Sequence, residues 1–308
     1  MSRPIQNDGR RFGLLQSAVN SPLHELYERW RYLLGHPGFR RAPLTTLSRW
    51  VWRRLSVELG IPTTVDLPAW DGRLFLPAKH NGAGTMMIYA VRERYENELA
   101  HLRDFVSPGM VVVDGGANYG IYSLAEARLV GPTGRVLSFE PGLESFSVLQ
   151  KNIKLNCLQN VRSFRAALAD KEGSASLYHS GRGPTSFSLG PPAHGSCRTE
   201  VVTTLPLHKI LQEENAEHVG LIKLDVEGAE ELALRGAQPL IASFRPCVIF
   251  EINPRASTGL GLRPHGAWEL LENAGYRFFS VLEGGDLRKL SAPPAGGNVI
   301  AIHGGRSA

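Results

Sequence analysis

The chain is poor in cysteine and has no long run of apolar residues. Its three cysteines, Cys157, Cys197 and Cys247, are an odd number, lie far apart and show no CxxC spacing, which predicts neither a disulfide framework nor a zinc site. No apolar stretch approaches the roughly 18 residues of a membrane-spanning helix, and the apolar patch at 12–15 is too short for a secretory signal. These absences favour a cytoplasmic protein with reduced cysteines.

Positive charge is scarce outside the first part of the chain. The formal net charge is +5, but residues 1–60 hold ten arginines and four carboxylates, a surplus of six, so the remaining 248 residues sum to about −1. Only the N-terminal segment could therefore offer a basic face to nucleic acid. A solvated arginine face on amphipathic helices is the favoured interpretation, and nucleic acid is not expected as a partner.

Residues 1–60 are predicted to form a helical, arginine-rich N-terminal extension. Apolar residues recur at helical spacing from 23 to 34 and again from 44 to 55, which predicts two amphipathic helices. These helices could cap the active site, lie on a membrane surface or join two copies of the chain as a homodimer. Packing in the core or at an interface is the favoured interpretation.

Residues 61–308 are predicted to form one further domain, with a lead-in over 61–108. Within the lead-in, Asp71-Gly72 stands between two apolar stretches, which is typical of a hairpin. A helical stretch over 89–105 is predicted to follow, and Ser-Pro-Gly at 107–109 stops it.

Beyond residue 109, short apolar strands alternate with helical segments. Strands are predicted at 110–113, 136–139, 161–167, 221–224 and 248–252. Helices are predicted near 121–130, 143–156, 207–214, 230–240 and 267–274. The alternation indicates an α/β fold with a doubly wound, mostly parallel sheet covered on both faces. Further strands near 277–282 and 298–302 would close the far edge of the sheet.

The most informative stretch is MVVVDGGANYG, from Met110 to Gly120. A buried strand runs into a glycine-rich turn that opens a helix, and such glycines let a ligand approach the main chain. The spacing of Asp114, Gly116, Asn118 and Gly120 differs from the G-x-G-x-x-G of dinucleotide enzymes. A carboxylate at the strand end would repel a pyrophosphate but could accept hydrogen bonds from an ammonium group. This favours S-adenosylmethionine over NAD.

Two further acidic residues follow the next two strands. Glu140 comes somewhat more than 20 residues after the glycine turn, the approximate distance at which an acid binds ribose hydroxyls; taken alone, it could be a surface acid before Pro141. The third strand ends near Leu168, where an adenine would rest, and Asp170 could bond its amino group or simply start a turn. The predicted cofactor contacts are Asp114, Gly116, Asn118, Gly120, Glu140, Leu168 and Asp170.

Three carboxylates are candidates for the chemistry. Asp225 ends the fourth strand, Glu227 lies in the turn after it, and Glu251 ends the fifth strand, so all three are predicted at the edge where ligands bind. Crowding of like charges raises at least one pKa. A carboxyl group with a raised pKa would suit the role of a general base that removes the proton from a hydroxyl group as it accepts the methyl group of S-adenosylmethionine. Alternatively the trio could bind Mg²⁺, or Asp225 could cap the next helix while Glu227 and Glu230 complement its dipole.

The histidines are weaker candidates for the base. His179 and His194 lie in or beside the Gly- and Pro-rich stretch 181–195, which could form a lid over the site. A surface-loop histidine is the commoner outcome. Lys223 could hold a strand-end carboxylate or extend from the sheet edge.

Nucleic-acid methyltransferases of two kinds fit the sequence poorly. Asn253-Pro254 is not followed by the proline and aromatic residue that clamp a flipped adenine. Pro246-Cys247 matches the nucleophile dipeptide of cytosine enzymes but begins its strand, away from the cofactor edge. An RNA-directed methyltransferase that uses the basic N-terminal helices, and a non-catalytic S-adenosylmethionine-binding protein, stay open as alternatives.

Taken in order, several motifs resemble the FkbM family of methyltransferases over roughly 95–251. They are Tyr95-Glu96, VDGGANYG at 113–120, SFEP at 138–141 with Asn152 and Asn156 downstream, IKLDVEGAE at 222–230, and Arg245-Pro246 before Phe250-Glu251. The resemblance implies a Rossmann-like class I methyltransferase fold and methylation of a hydroxyl on a sugar, glycan or secondary metabolite. One departure is Leu205-Pro206, where the family usually has Leu-Asp, so a capping or contact role is vacant there.

Overall fold

The computed structural model describes residues 31, 33–79, 83–179, 187–190, 197–216 and 218–305. The predicted helix at 23–34 and the predicted lid at 181–195 lie largely outside these residues, as does His194. Among the described helices, none is both long enough and apolar enough to cross a membrane.

Two helices and a hairpin lie near the start of the described residues. The helices are α1 (Pro37–Arg41) and α2 (Pro43–Glu58), and the hairpin strands are β1 (Thr63–Leu67) and β2 (Gly72–Leu76). The strands pair antiparallel, with Val65 opposite Leu74, and Asp71 adopts a left-handed conformation at the turn, with φ 42°. The hairpin predicted at Asp71-Gly72 is therefore confirmed.

The single helix predicted over 89–105 is wrong. The structure has α3 (Ala83–Val91), a short α4 (Asn97–Ala100), and 3₁₀ turns at Arg92–Arg94 and Leu102–Asp104. Arg92 has φ 58°, a left-handed conformation that ends α3 because an α-helix cannot continue through it. The break turns the chain so that Glu96 reaches Tyr122, whose hydroxyl donates to Glu96 Oε2.

An eight-stranded sheet forms the centre of the molecule. Its strands are β3 (Val111–Gly115), β4 (Arg135–Phe139), β5 (Val161–Phe164), β10 (Val219–Leu224), β11 (Cys247–Ile252), β12 (Tyr276–Val281), β13 (Leu287–Leu290) and β14 (Gly297–His303). The spatial order is β13-β12-β14-β11-β10-β3-β4-β5. The five strands from β11 to β5 are parallel, and the other three are antiparallel. The predicted mostly parallel sheet is confirmed; β13, which was not predicted, closes its far edge.

Helices cover both faces of this sheet, as predicted for a doubly wound fold. They are α5 (Ile121–Val130), α6 (Leu143–Leu155), α7 (Leu207–Glu213), α8 (Glu230–Arg235), α9 (Gln238–Phe244), α10 (Pro254–Gly259) and α11 (Gly266–Asn273). Val113 and Ile222 point into the core under α7, α9 and α11. Their neighbours Val112 and Leu221 point into the core under α5, α6 and the hairpin, because successive strand residues face opposite sides.

The helix predicted over 230–240 is divided into α8 and α9. Pro239 stands in the first turn of α9, where its missing N–H is tolerated. Gly236 between the helices packs so closely that a Cβ there would lie 2.0 Å from the Ala169 carbonyl oxygen. The break therefore lets this turn pack against the chain at Ala169.

A second, four-stranded sheet was not predicted. Its strands, in spatial order, are β6 (Ala167–Leu168), β9 (Arg198–Leu205), β7 (Gly173–His179) and β8 (Phe187–Ser188). The strand predicted over 161–167 is divided between β5 of the central sheet and β6 of this one. Leu177 and Val202 bury a small core with Ala167, and this sheet stands beside the carboxyl ends of the parallel strands.

Candidate active site

A cleft of about 590 Å³ opens at the carboxyl ends of β3, β4, β5 and β10. The topology places it there because the chain runs from β3 toward β5 and then returns to β10 on the other side of β3, which opens a crevice between the two halves. Six of the predicted site residues line the cleft: Gly116, Asn118, Glu140, Leu168, Asp225 and Glu227. Leu177 of β7 and Leu189, which follows β8, contribute an apolar wall.

The glycine-rich turn lies where the two halves of the sheet touch. Gly116 has φ 77°, and its backbone N–H donates to the Phe139 carbonyl at 2.9 Å. A Cβ at Gly116 would lie 1.9 Å from the carbonyl oxygen of Asp225. The turn after β3 can therefore approach the turn after β10 only because residue 116 is glycine.

Glu140 joins this turn to the loop after β4. Its Oε2 accepts from the Asn118 backbone N–H and its Oε1 accepts from the Gly142 backbone N–H, both at 2.9 Å. Burial raises the pKa of Glu140 to about 8, although the two backbone hydrogen bonds act in the opposite direction. Glu140 thus organises the cleft in addition to lining it, and the sequence had predicted only a ligand contact.

Asp114 lies beneath the cleft and is not among its lining residues. Its carboxylate is fully buried; Ser123 Oγ donates to its Oδ2 at 2.6 Å, and Lys223 Nζ is 3.7 Å from its Oδ1. Burial raises the pKa of Asp114, and the Lys223 ammonium acts against that rise. An ammonium group does face Asp114, as the sequence predicted for a ligand, but it belongs to Lys223.

Gly120 and Asp170 also lie outside the lining of the cleft. Gly120 caps α5 with φ 87°, and a Cβ there would lie 2.6 Å from Leu149 Cδ1, so its small size allows α6 to pack against the turn. Asp170 follows β6 and is half-buried. Contacts of these residues and of Asp114 with a cofactor stay predictions.

The three predicted catalytic carboxylates meet at the ends of β10 and β11. Burial raises the pKa of Glu227 to about 8, and the charges of Asp225 and Glu251 add to the rise. Burial and the charge of Asp225 raise the pKa of Glu251 to about 7, while a hydrogen bond with Asn253 acts against the rise. The crowding of like charges expected from the sequence is therefore present.

Asp225 does not cap the helix that follows it. The residue at the N-cap of α8 is Ala229, and no side chain caps that helix. The turn is held by Glu230, whose Oε1 accepts from the backbone N–H groups of Val226 and Gly228 at 3.0 and 3.3 Å. The capping alternative for Asp225 is therefore wrong, and its carboxylate lies 3.5 Å from Lys223 Nζ instead.

Glu96 and Tyr122 complete the acidic side, and no role was predicted for either. Tyr122 donates its hydroxyl to Glu96 Oε2 at 2.6 Å. Burial and the charge of Asp225 raise the pKa of Glu96 to about 7. Lys223 Nζ lies 4.5 Å from the centre of the Tyr122 ring. Burial acts to lower the pKa of Lys223, but the charges of Asp225 and other nearby carboxylates outweigh burial, so the pKa of Lys223 is raised. In the sequence, Tyr95-Glu96 is part of a family motif but has no assigned role, and no pattern in the sequence singles out Tyr122.

The described residues contain no group of three or more His, Cys, Asp or Glu side chains arranged to hold a metal ion, so the Mg²⁺ alternative gains no support.

His179 ends β7, where its Nε2 lies 3.5 Å from Glu200 Oε2. None of the three cysteines forms a disulfide, and Cys247 is buried at the start of β11, as expected for a residue distant from the cleft.

Comparison with known proteins gives both a family and relatives. "Methyltransferase 1" of Beauveria bassiana (strain ARSEF 2860) is 29% identical over 143 residues, which cover 41% of this chain and 57% of the relative. "Methyltransferase sdnD" of Sordaria araneosa is 28% identical over 154 residues, covering 41% of this chain and 59% of the relative. The chain thus spans less than two thirds of the length of these curated relatives.

A solved structure, methyltransferase FkbM from Methylobacillus flagellatus KT, is 14% identical with a TM-score of 0.40; the alignment covers 72% of this chain and 53% of that one. The family model described as the methyltransferase FkbM domain matches residues 114–278, which include the glycine turn, Glu140 and the carboxylates Asp225, Glu227 and Glu251. Because this match covers more than half of its length, the chain belongs to the FkbM family of methyltransferases.

Proposed function

We propose that this methyltransferase transfers the methyl group of S-adenosylmethionine to a hydroxyl group of a sugar, glycan or secondary metabolite. The observation that carries the proposal is the set of carboxyl groups beside the cleft, Glu96, Glu227 and Glu251, whose pKa values of about 7 to 8 lie near neutrality. A hydroxyl acceptor must lose its proton, and a group that titrates near the working pH accepts a proton most effectively.

The cleft suits S-adenosylmethionine in its lining and in charge, since it combines apolar side chains with a few polar groups, as small-molecule sites do. Leu168 and Leu177 offer an apolar surface for the adenine, and Glu140 stands where it could accept from the ribose hydroxyls. Asp225 presents negative charge to the cationic end of the cofactor, which supplies a methyl group on a positively charged sulfur, and Glu227 lies beside Asp225 in the lining of the cleft.

The acceptor chemistry is assigned to Glu227 and Asp225. Glu227 lines the cleft and its pKa is raised to about 8; a bound cation would lower that value and leave a carboxylate that can take the proton of the acceptor. Asp225 is held by Lys223 and is partly exposed, so it can accept a hydrogen bond from the same hydroxyl and orient it. Orientation of the two reactants supplies much of the acceleration of a methyl transfer.

The test of this proposal combines binding with transfer. The full chain is incubated with methyl-labelled S-adenosylmethionine and a panel of sugars, glycans and hydroxylated metabolites, with RNA as a further substrate. An O-methylated product that Glu227→Gln fails to form supports the proposal. Methylation of RNA alone would replace the acceptor class, and cofactor binding without any product across the panel would favour a non-catalytic binding protein.

A calorimetric measurement tests the cofactor side without an acceptor. If the cationic cofactor lies beside Glu227, binding at pH 7 should release protons, because it lowers a pKa that is raised in the free protein. The heat of binding should then differ between buffers of different ionisation enthalpy, and the difference should shrink in Glu227→Gln. Equal heats in all buffers would contradict the placement of the cation beside this carboxyl group.

A further inference from the structure

Helix α2 packs with polar residues inward. Thr46, Arg53 and Ser56 lie on its inner face and are buried, Arg53 completely. Arg53 donates to Thr63 Oγ1 at 2.9 Å and to the Pro77 carbonyl at 2.8 Å. These bonds join the helix to the hairpin, which fixes the direction in which its other face points.

The outer face of α2 is apolar. Leu44, Val51, Leu55 and Leu59 follow one another at seven, four and four residues, a spacing that puts them on one side of a helix, and Trp52 lies beside them. We call these five residues the apolar stripe; their exposed fractions run from 42% to 82%. Of the eleven large exposed apolar side chains in the described part of the chain, seven lie within 34–61. Such a concentration marks an interaction surface.

The segment that carries the apolar stripe has a surplus of positive charge. Residues 31–61 contain six arginines and a single carboxylate, Glu58. Glu58 is paired with Arg54 at 3.0 Å and Glu283 with Arg41 at 3.1 Å, so these two carboxylates offset two of the six arginines, and Arg53 is buried. Arg40 is exposed, and long arginine side chains can lie along apolar surface while their charges reach a polar boundary. The partner of this surface should therefore be both apolar and anionic.

We propose that the apolar stripe binds the surface of a membrane that contains anionic lipids. A basic helix with an exposed aromatic and aliphatic face lies in the lipid interface with that face buried, and tryptophan is favoured at this depth. A second copy of the chain would bring the same positive charge against the stripe. Residues 1–30 carry four arginines and three carboxylates, so they do not supply the complementary charge either.

The test is flotation of the full chain with phosphatidylcholine vesicles, with and without phosphatidylserine. We expect binding to the anionic vesicles, and a loss of about tenfold or more in Trp52→Gln/Leu55→Gln because two buried apolar groups are removed. Val201→Gln/Leu287→Gln, which changes two exposed apolar residues elsewhere, is the matched control and should bind as the unchanged chain does. Arg40→Gln/Arg54→Gln should weaken binding roughly fivefold for each charge removed.

Three results would overturn the proposal. These are no binding to anionic vesicles, equal binding by Trp52→Gln/Leu55→Gln, and a stable dimer in light scattering that the same double variant abolishes. The last result would assign the stripe to a second copy of the chain. Circular dichroism of each variant verifies that a loss of binding is not a loss of folding; since both side chains are exposed, the double variant should fold normally.

Discussion

The carboxylates on the two sides of the cleft have different surroundings. On the side built on β3 and β4, Glu140 is held by two backbone N–H groups. On the side built on β10 and β11, Asp225, Glu227 and Glu251 repel one another and share one nearby cation, Lys223. A carboxylate with fixed donors holds a structure in place, whereas carboxylates that compete for one cation respond to whatever charge enters the cleft. We therefore expect the first side to govern affinity and folding and the second to govern chemistry.

The largest expected effect is on the acidic side. Glu227→Gln should reduce turnover by about 10²- to 10⁴-fold, the usual contribution of a general base, with a smaller change in cofactor affinity. Steady-state kinetics with an identified acceptor measure the first and calorimetry the second. Glu172→Gln, at an exposed carboxylate away from the cleft, is the control. An equal loss of affinity and turnover would remove the distinction between the two sides.

The contact between the two sides is tested by Gly116→Ala. The added Cβ would meet the Asp225 carbonyl oxygen at 1.9 Å, at a residue with φ 77°, so we expect destabilisation of roughly 3 kcal/mol or more and weaker cofactor binding. Gly259→Ala, where nothing lies within 4 Å of the added atom, is the matched control. Chemical unfolding of both variants gives the comparison, and similar stabilities would show that the two turns can separate without cost.

The side built on β3 and β4 is tested by two substitutions at Glu140. Glu140→Ala leaves the buried N–H groups of Asn118 and Gly142 without an acceptor, which should cost about 1–3 kcal/mol and weaken cofactor binding. Glu140→Gln keeps one carbonyl oxygen, so its stability and its cofactor affinity should lie between those of Glu140→Ala and those of the unchanged chain. Unfolding curves and cofactor titration are the measurements. If both variants bind the cofactor as the unchanged chain does, Glu140 has a structural role alone.

The smallest expected effect is a pH dependence of stability. Burial raises the pKa of Glu227 to about 8 and that of Glu251 to about 7, above their ordinary value of 4.5. The folded protein therefore retains protons that the unfolded chain has lost, so stability from these groups is complete below about pH 4.5 and declines as pH rises through 7 to 8. Melting temperatures of the cofactor-free chain between pH 6 and 9 should fall, and less steeply in Glu227→Gln. A rise over this range would contradict the raised values.

Local pattern predicted the parallel part of the sheet well. The apolar runs at 110–113, 136–139, 221–224 and 248–252 correspond to β3, β4, β10 and β11 within two residues at each end, because strands buried on both faces need uninterrupted apolar side chains. The elements that were missed or misdrawn depend on distant partners. The strands β7 and β9 contain few apolar residues and become a sheet only by pairing with each other.

What the sequence by itself determined is the order of strands and turns, and with it the meeting of Gly116, Glu140, Asp225 and Glu227 at one edge, since parallel strands end on the same side. Tertiary structure alone decided which polar groups face one another: Lys223 faces Asp114, Glu96 faces Tyr122, and the polar face of α2 faces the hairpin. Residue spacing specifies the face of an element on which a side chain lies. The neighbour that it meets there depends on how the elements pack, and burial next to that neighbour sets its pKa.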